Sequence, residues 1–336
     1  MPGAQGRYWE SFRLKLILRI AIAVILLSTQ ANSQLQVNFH RGSCPGAEAT
    51  VRNVVNAALG KSRGLGAGIL RMHFHDCFVN GCDGSVLIDS TTGNPSEKEA
   101  GANKASLRGF EVIDNAKAQL EAKCPGMVSC ADILAFAARD SVFFLGGPFW
   151  QIKSGRRDSN ISRVADVGGN LPGPSSNFQQ LTQNFLAKGL SQAEMITLSG
   201  AHTIGQSLCS FFINRLYNFN STTPQDPSLD PQYATRLKVL CPQNNPNPNS
   251  VAPLDPLTPN SFDNSYFTNV VQGRALFTSD QALFTDAASM ATVQSNSENG
   301  SPWREMFAQA MIKMSEIGVL TGHQGEIRKN CRVINS

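Results

Sequence analysis

Eight cysteines in a chain of 336 residues, all downstream of an apolar leader, constrain this sequence more than any other feature. They are Cys44, Cys77, Cys82, Cys124, Cys130, Cys209, Cys241 and Cys331. An even count in an exported chain implies disulfides, and such staples demand a fold in which distant segments meet. Eight cysteines allow about 105 pairings, and their spacing leaves that choice open. No Cys-x-x-Cys zinc pair occurs, nor the Cys-x-x-Cys-His run that attaches haem covalently.

Export is read from residues 1–33. Arg7, Arg13, Lys15 and Arg19 precede the apolar stretch Ile20 to Leu27, and Ala31-Asn32-Ser33 closes it with small residues at alternate positions. Cleavage is expected before Gln34. The apolar run is well short of the roughly 20 residues needed to span a bilayer, and no second such stretch follows, so a mature chain free of the membrane is expected. The leader holds four basic residues and the acid Glu10, which leaves 25 Lys and Arg against 24 Asp and Glu. A net charge near zero argues against nucleic acid or an anionic membrane as the main partner. Sequons at Asn160, Asn220 and Asn299 are candidate glycan sites, the last weakened by Pro302.

Apolar positions three and four apart predict helices over Glu48 to Ala58, Gly66 to His75, Phe110 to Lys123, Ala131 to Phe144, Asn177 to Lys188, Gln192 to Leu198, Pro231 to Leu240, Phe262 to Gln272 and Trp303 to Glu316. Ser129 and Ser191 are suited to cap helix starts, and Gly126, Gly146 and Gly189 to end helices. Trp150 to Lys153 is the best short strand. Long polar loops run from Asp89 to Asn103, Gly155 to Ser176 and Gln243 to Pro259. A mainly α fold follows, in which such loops wrap a site, with a boundary between halves near Leu171-Pro172-Gly173-Pro174.

The chemistry concentrates in the run Arg71-Met72-His73-Phe74-His75-Asp76-Cys77-Phe78-Val79. On a helix Arg71 and His75 lie about 40° apart, whereas His73 lies about 200° from Arg71 and looks elsewhere. A fixed cation beside an imidazole suits a reaction that moves a proton and then stabilises the negative charge left behind, as in breaking a peroxide O–O bond. His202 lies in Leu198-Ser199-Gly200-Ala201-His202-Thr203-Ile204-Gly205, where glycines let a bulky group approach. Asp280 is placed to accept the far N–H of His202, the usual partner of a metal-bound imidazole. Asp76, Asp83 and Ser85, with the carbonyls of Val79 and Gly81, crowd hard oxygen donors suited to calcium. A zinc hydrolase built on His73, His75 and Asp76 is the rival from another enzyme class, and it needs a broken helix there.

The ordered runs Arg71 to Val79, Arg108 to Asp114, Gly155-Arg156-Arg157-Asp158-Ser159, Leu198 to Gly205 and Gly318-Val319-Leu320-Thr321-Gly322 resemble the secretory plant-type (class III) haem peroxidases over essentially the whole mature length. The resemblance implies a two-lobed helical fold over 34–336, with a distal lobe of about 34–175, a proximal lobe of about 176–336, and one non-covalent haem b between them. His202 would be the axial iron ligand with Asp280 behind it, and Phe74 would pack over the distal face. His75 would be the distal base, Arg71 the charge stabiliser and Asn103 the partner that fixes the His75 tautomer.

Two calcium ions are implied. One would sit at Asp76, Val79, Gly81, Asp83 and Ser85, with Glu97 through water. The second would take Thr203, Asp255, Thr258, the Ser261 carbonyl and Asp263. The implied disulfides are Cys44–Cys124, Cys77–Cys82, Cys130–Cys331 and Cys209–Cys241. Pro172 matches a position near the exposed haem edge where phenolic reductants are oxidised, with Phe211 a plausible neighbour. The expected protein is a monomeric extracellular or cell-wall enzyme consuming hydrogen peroxide; a non-catalytic calcium-binding glycoprotein on the same fold is the alternative. Ser315-Glu316 and Gly64 to Gly68 differ from the family's usual pattern, the latter lacking a basic residue often placed to meet a haem propionate.

Overall fold

The computed structural model describes residues 35–244 and 247–336; the expected signal segment and its cleavage point lie outside them. Among the described residues are twelve α-helices and two small antiparallel pairs of strands. The centre is α4 (Cys130–Phe144), which packs against α1 (Ala47–Lys61) and α2 (Leu65–Val79). Ser129 Oγ accepts the Asp132 N–H and starts α4, and the Ala/Ile/Leu sequence that follows is buried on all sides. Next come α3 (Phe110–Lys123), α5 (Phe178–Ala187) and α6 (Gln192–Ser199); the last two open with reciprocal capping boxes, Asn177 with Gln180 and Ser191 with Glu194.

The C-terminal half holds α7 (Ile213–Leu216), α8 (Pro231–Leu240), α9 (Ser265–Val271), α10 (Thr278–Thr285), α11 (Ala287–Glu298) and α12 (Gly300–Met314). All nine expected helices form, with ends shifted by a few residues, and the mainly α reading holds. Helix α2 runs four residues past the expected end at His75, and at α9 the expected residues 262–264 instead form the approach to the helix. The periodicity missed α7, α10 and α11, and Trp150 to Lys153 contributes only its end: Lys153–Ser154 pairs with Gln36–Val37. The polar loop 243–259 supplies the strand Val251–Pro253, which pairs with Gln206–Leu208 just after His202.

Four disulfides form, Cys44–Cys124, Cys77–Cys82, Cys130–Cys331 and Cys209–Cys241. The main apolar core draws on residues from Cys44 to Cys331, so both halves share it, while a smaller cluster gathers around Cys209, Phe212, Leu237 and Leu276. The recurrent run at 155–159 locks these parts together. Asp158 accepts the N–H groups of Cys130, Ala131 and Arg328, joining the start of α4 to the C-terminal segment. Arg156 pairs with Asp132 at 2.8 Å and donates to the Ser315 carbonyl, all of it buried.

Candidate active site

Helix α2 carries Arg71, His73, Phe74, His75 and Asp76. Its 100° spacing sends the two histidines apart, as expected. His73 Nε2 bonds Ser315 Oγ at 3.0 Å deep in the core, whereas His75 Nδ1 bonds Asn103 Oδ1 at 2.6 Å. Burial first, and Arg156 second, push the His73 pKa down to about 3. A metal site shared by both histidines is thereby ruled out by their directions.

Arg71 and His75 are tied to one turn. Arg71 donates to the Ala102 carbonyl at 2.8 Å and to Ser106 Oγ at 3.1 Å, two acceptors that flank the Asn103 that holds His75. Ala105 in that turn adopts left-handed backbone at φ 58°, a conformation costing an alanine about 1–2 kcal/mol. Asn103 Nδ2 in turn donates to the Glu97 carbonyl at 2.7 Å, which orients the amide so that its oxygen faces the imidazole. His75 Nδ1 therefore donates and its Nε2 is the free base. Burial, then the Arg71 charge, hold His75 well below the usual histidine range, while the Asn103 bond pulls the other way. Burial and the neighbouring Arg108 lower Arg71 to about 10, so it remains a cation at neutral pH. Sequence reasoning missed Ala102 and Ser106, because a backbone carbonyl and a loop serine carry no pattern of their own.

Phe74 is half-buried, edge-on to His75 and 4.3 Å between ring centroids from Phe78. Behind the helix, Cys77–Cys82 closes the loop that carries Gly81. A side chain at Gly81 would run into the Gly318 backbone, and the residue's φ of 115° favours glycine as well. Here Asp76 accepts the N–H groups of Gly84 and Val86, and Asp83 that of Ser85. Burial, with Asp83 and Glu97 nearby, holds Asp76 well above the carboxylate range; burial first pushes Glu97 up to about 8. Both Glu97 carboxylate oxygens and Ser85 Oγ are buried without a hydrogen-bond partner. Val79 offers its carbonyl toward Lys188 Nζ at 3.5 Å. Three buried acids, of which Glu97 has both oxygens unpaired, beside the unpaired Ser85 hydroxyl make surroundings suited to a hard cation.

On the other side, α6 ends in the short 3-10 turn Gly200–Thr203. A Cβ at Gly200 would stand 2.5 Å from the Trp303 ring, so glycine is what lets this segment lie on the core. His202 Nδ1 bonds Asp280 Oδ1 at 2.8 Å. Its ring stands edge-on to Tyr266 and Phe277, and its side chain remains 38% exposed, which leaves Nε2 accessible. Asp280 also accepts the Tyr266 O–H at 2.9 Å. Burial and then Asp280 keep that phenol well above its usual pKa, so it stays a donor. Tyr266 was missed by sequence reasoning, since an aromatic at helical spacing reads as core.

The next residue, Thr203, faces two carboxylates: its Oγ lies 3.5 Å from Asp255 and 3.2 Å from Asp263. Asp255 is fully buried and also accepts the Thr258 hydroxyl at 3.0 Å, and Ser261 follows from the Thr258 carbonyl. The donors to the two acids are all neutral, namely hydroxyls, backbone N–H groups and the Asn269 amide, and no cationic side chain among the described residues pairs with either. Among the described residues no three His, Cys, Asp or Glu side chains converge as a metal set; beside their carboxylates both places offer carbonyls and hydroxyls, donors that suit calcium rather than zinc.

A cleft lined by Gly64, Arg108, Gly205, Gln206, Pro253 and Asn260 opens between α2 and the strand after His202. Arg108, which pairs with no carboxylate among the described residues, places a cation in the wall of this cleft. Pro172 is half-buried, and its loop is tied near Asp280 by the Ser279 N–H, which donates to the Pro174 carbonyl. Phe211 is half-buried on the short turn Cys209–Phe211.

The family model described as Peroxidase matches residues 51–299. Peroxidase 5 of Vitis vinifera is 54% identical over 96% of this chain and 98% of its own length. Peroxidase 54 of Arabidopsis thaliana is 44% identical over 95% and 89%, and Peroxidase 2 of Oryza sativa subsp. japonica 45% over 96% and 98%. Likeness of this extent, running through the helix of His75 and the turn of His202 alike, makes the chain a member of the plant peroxidase family.

Proposed function

We propose that this protein is a secreted peroxidase that binds one haem b and two calcium ions and reduces hydrogen peroxide at the expense of small phenolic donors. One observation carries the reading: two imidazoles from opposite halves each have Nδ1 engaged, by Asn103 and by Asp280, and so each keeps Nε2 free for a ligand or a proton. Haem bound at His202 supplies the two-electron reduction of peroxide and the one-electron oxidation of donors. His202, bonded to a carboxylate, is the stronger electron donor of the pair and suits an axial ligand. Phe74 and Phe277 provide apolar walls, and Arg108 a cation for an acidic cofactor edge.

His75 Nε2 takes a proton from one peroxide oxygen and returns it to the other, so that water leaves. Arg71 stabilises the charge that develops on the departing oxygen, and its bonds to Ala102 and Ser106 hold the guanidinium ready. The first calcium would be held by Asp76, Val79, Gly81, Asp83 and Ser85 with Glu97 through water, and the second by Thr203, Asp255, Thr258, Ser261 and Asp263. Each ties the loop next to a histidine to a remote segment. Donors need only approach the cofactor edge near Pro172. The distal lobe is assigned to about 34–175 and the proximal to about 176–336, in one monomer acting in the extracellular or cell-wall space. No helix among the described residues is long and apolar enough to cross a membrane.

The test is the absorption spectrum of the purified secreted protein near the Soret band, before and after one equivalent of hydrogen peroxide without reductant. A ferric band that falls, shifts and then recovers on adding a phenol is expected. Absence of the band in folded protein supplied with haem would refute the reading. A band indifferent to peroxide would refute the roles of Arg71 and His75 alone.

A further inference from the structure

We infer that Tyr266 is a positioning residue that sets the donor strength of His202 by sharing the Asp280 oxygen that holds it. The inference rests on the proposed axial role of His202. Two donors reach one atom: His202 Nδ1 lies 2.8 Å and the Tyr266 hydroxyl 2.9 Å from Asp280 Oδ1. Both Asp280 and Tyr266 are buried, so water does not compete for that oxygen. A carboxylate that accepts the N–H of a ligating imidazole draws its proton and makes the ring a stronger donor to iron. A second donor on the same oxygen withdraws part of its charge, so the pull on His202 is weaker than a free carboxylate would exert.

Geometry also argues that the hydroxyl, not the ring, is the functional part. The Tyr266 ring packs edge-on against both His202 and Phe267, a task phenylalanine would perform equally. Only the O–H reaches Asp280, and a buried phenol is retained where it has a partner to satisfy. Asp280 sits in the first turn of α10, and Tyr266 in the first turn of α9; the shared oxygen therefore fixes the spacing of two helices around His202.

Tyr266→Phe in the haem-loaded protein is expected to strengthen the His202–Asp280 bond. The ferric–ferrous potential should move negative, by several-fold in the reduction equilibrium and at most about tenfold, which is 59 mV for one electron. The iron–histidine stretching frequency of the ferrous protein should rise. In an Asp280→Asn background the same substitution should shift neither quantity further, because the tyrosine acts through the carboxylate. Substituting 3-fluorotyrosine, a stronger O–H donor of nearly the same shape, should move the potential positive and covers the case in which Tyr266→Phe does not fold. An unchanged or positive shift for Tyr266→Phe, or an equal shift with and without Asp280, would overturn the inference. Failure of the parent itself to take up haem would instead remove the reading on which it rests.

Discussion

Replacing Asn103 by leucine separates the base from the amide that orients it. Asn103 is buried and makes two bonds, accepting from His75 Nδ1 at 2.6 Å and donating to the Glu97 carbonyl at 2.7 Å. Leucine of similar size strands both groups. Each unpaired buried group costs about 1–3 kcal/mol, so about 2–6 kcal/mol of stability should be lost, and Tm should fall by about 2 °C per kcal/mol. The reaction should suffer separately. A positioned base contributes about 10²–10⁴-fold, and loss of an orienting partner typically costs about 10–100-fold.

A pH profile distinguishes the two effects. The Asn103 bond is what raises the His75 pKa against burial and Arg71, so removing it lowers that pKa further. The base is active when neutral; the acid limb of the peroxide rate constant should therefore move to lower pH while the plateau falls. Stopped-flow absorbance at the Soret band, with hydrogen peroxide varied, measures both. A plateau within twofold of the parent in a folded variant would refute the orienting role, and a lowered plateau with an unmoved limb would show that folding alone was damaged.

His75→Leu should keep the Soret band but lose about 10²-fold or more of the peroxide rate, while His202→Ala should lose stable haem binding; equal rates in the first, or an intact band in the second, would refute the assigned roles. Chelation should lower Tm more at pH 8 than at pH 5. Folding lifts Glu97 to about 8, so the folded state holds a proton that the unfolded state releases above about 4.5. Metal-free stability is thus lost as pH rises through that window, and calcium offsets the loss; equal chelation effects at the two pH values would count against the site. His73 is depressed to about 3 from an ordinary value near 6.5, so unfolded protein gains a proton that folded protein refuses. Stability should then fall with decreasing pH between 6.5 and 3, by about 1.4 kcal/mol per pH unit from this residue. Denaturation of His73→Gln, which keeps a donor for Ser315, should show a shallower acid slope; an identical slope would exclude His73 as the cause.

Legibility in the sequence followed physical locality. The spacing of Arg71, His73 and His75 is a property of one helix, so their opposed directions could be read directly. Caps at Ser129 and Ser191 were equally local, because each lies within three residues of the N–H it accepts. Helices α10 and α11 carry few apolar residues on a regular face: α11 buries only Ser289, Val293 and Asn296, two of them polar. Periodicity had nothing to detect there, although α10 is the helix that delivers Asp280. The donor cluster from Asp76 to Ser85 was local and could be read directly, whereas the set from Thr203 to Asp263 and three of the four disulfides join residues far apart in the chain, so these came only with the family likeness. Ser315, a departure from the family pattern, proved to be the hydroxyl that satisfies buried His73 and the carbonyl that receives Arg156.

The two histidines share one device and differ in the group that accepts their N–H. Each is held through Nδ1 at similar range, 2.6 Å for His75 and 2.8 Å for His202, yet the acceptor is a neutral amide on one side and a carboxylate on the other. A neutral acceptor fixes the tautomer and stabilises an imidazolium less than a carboxylate would, which suits the base proposed at His75, one that must readily give its proton back. Arg71 on the same helix deepens that bias, and burial deepens it further. A charged acceptor instead enriches the ring in electron density, which suits a ligand expected to donate to iron throughout the cycle. Exchanging the acceptors would invert both biases: an aspartate at 103 would trap the proton on His75, and an asparagine at 280 would leave His202 a weaker donor. The division of labour between the faces of the site is therefore written in whether an oxygen 78 residues from His202, and another 28 residues from His75, belongs to an acid or to an amide.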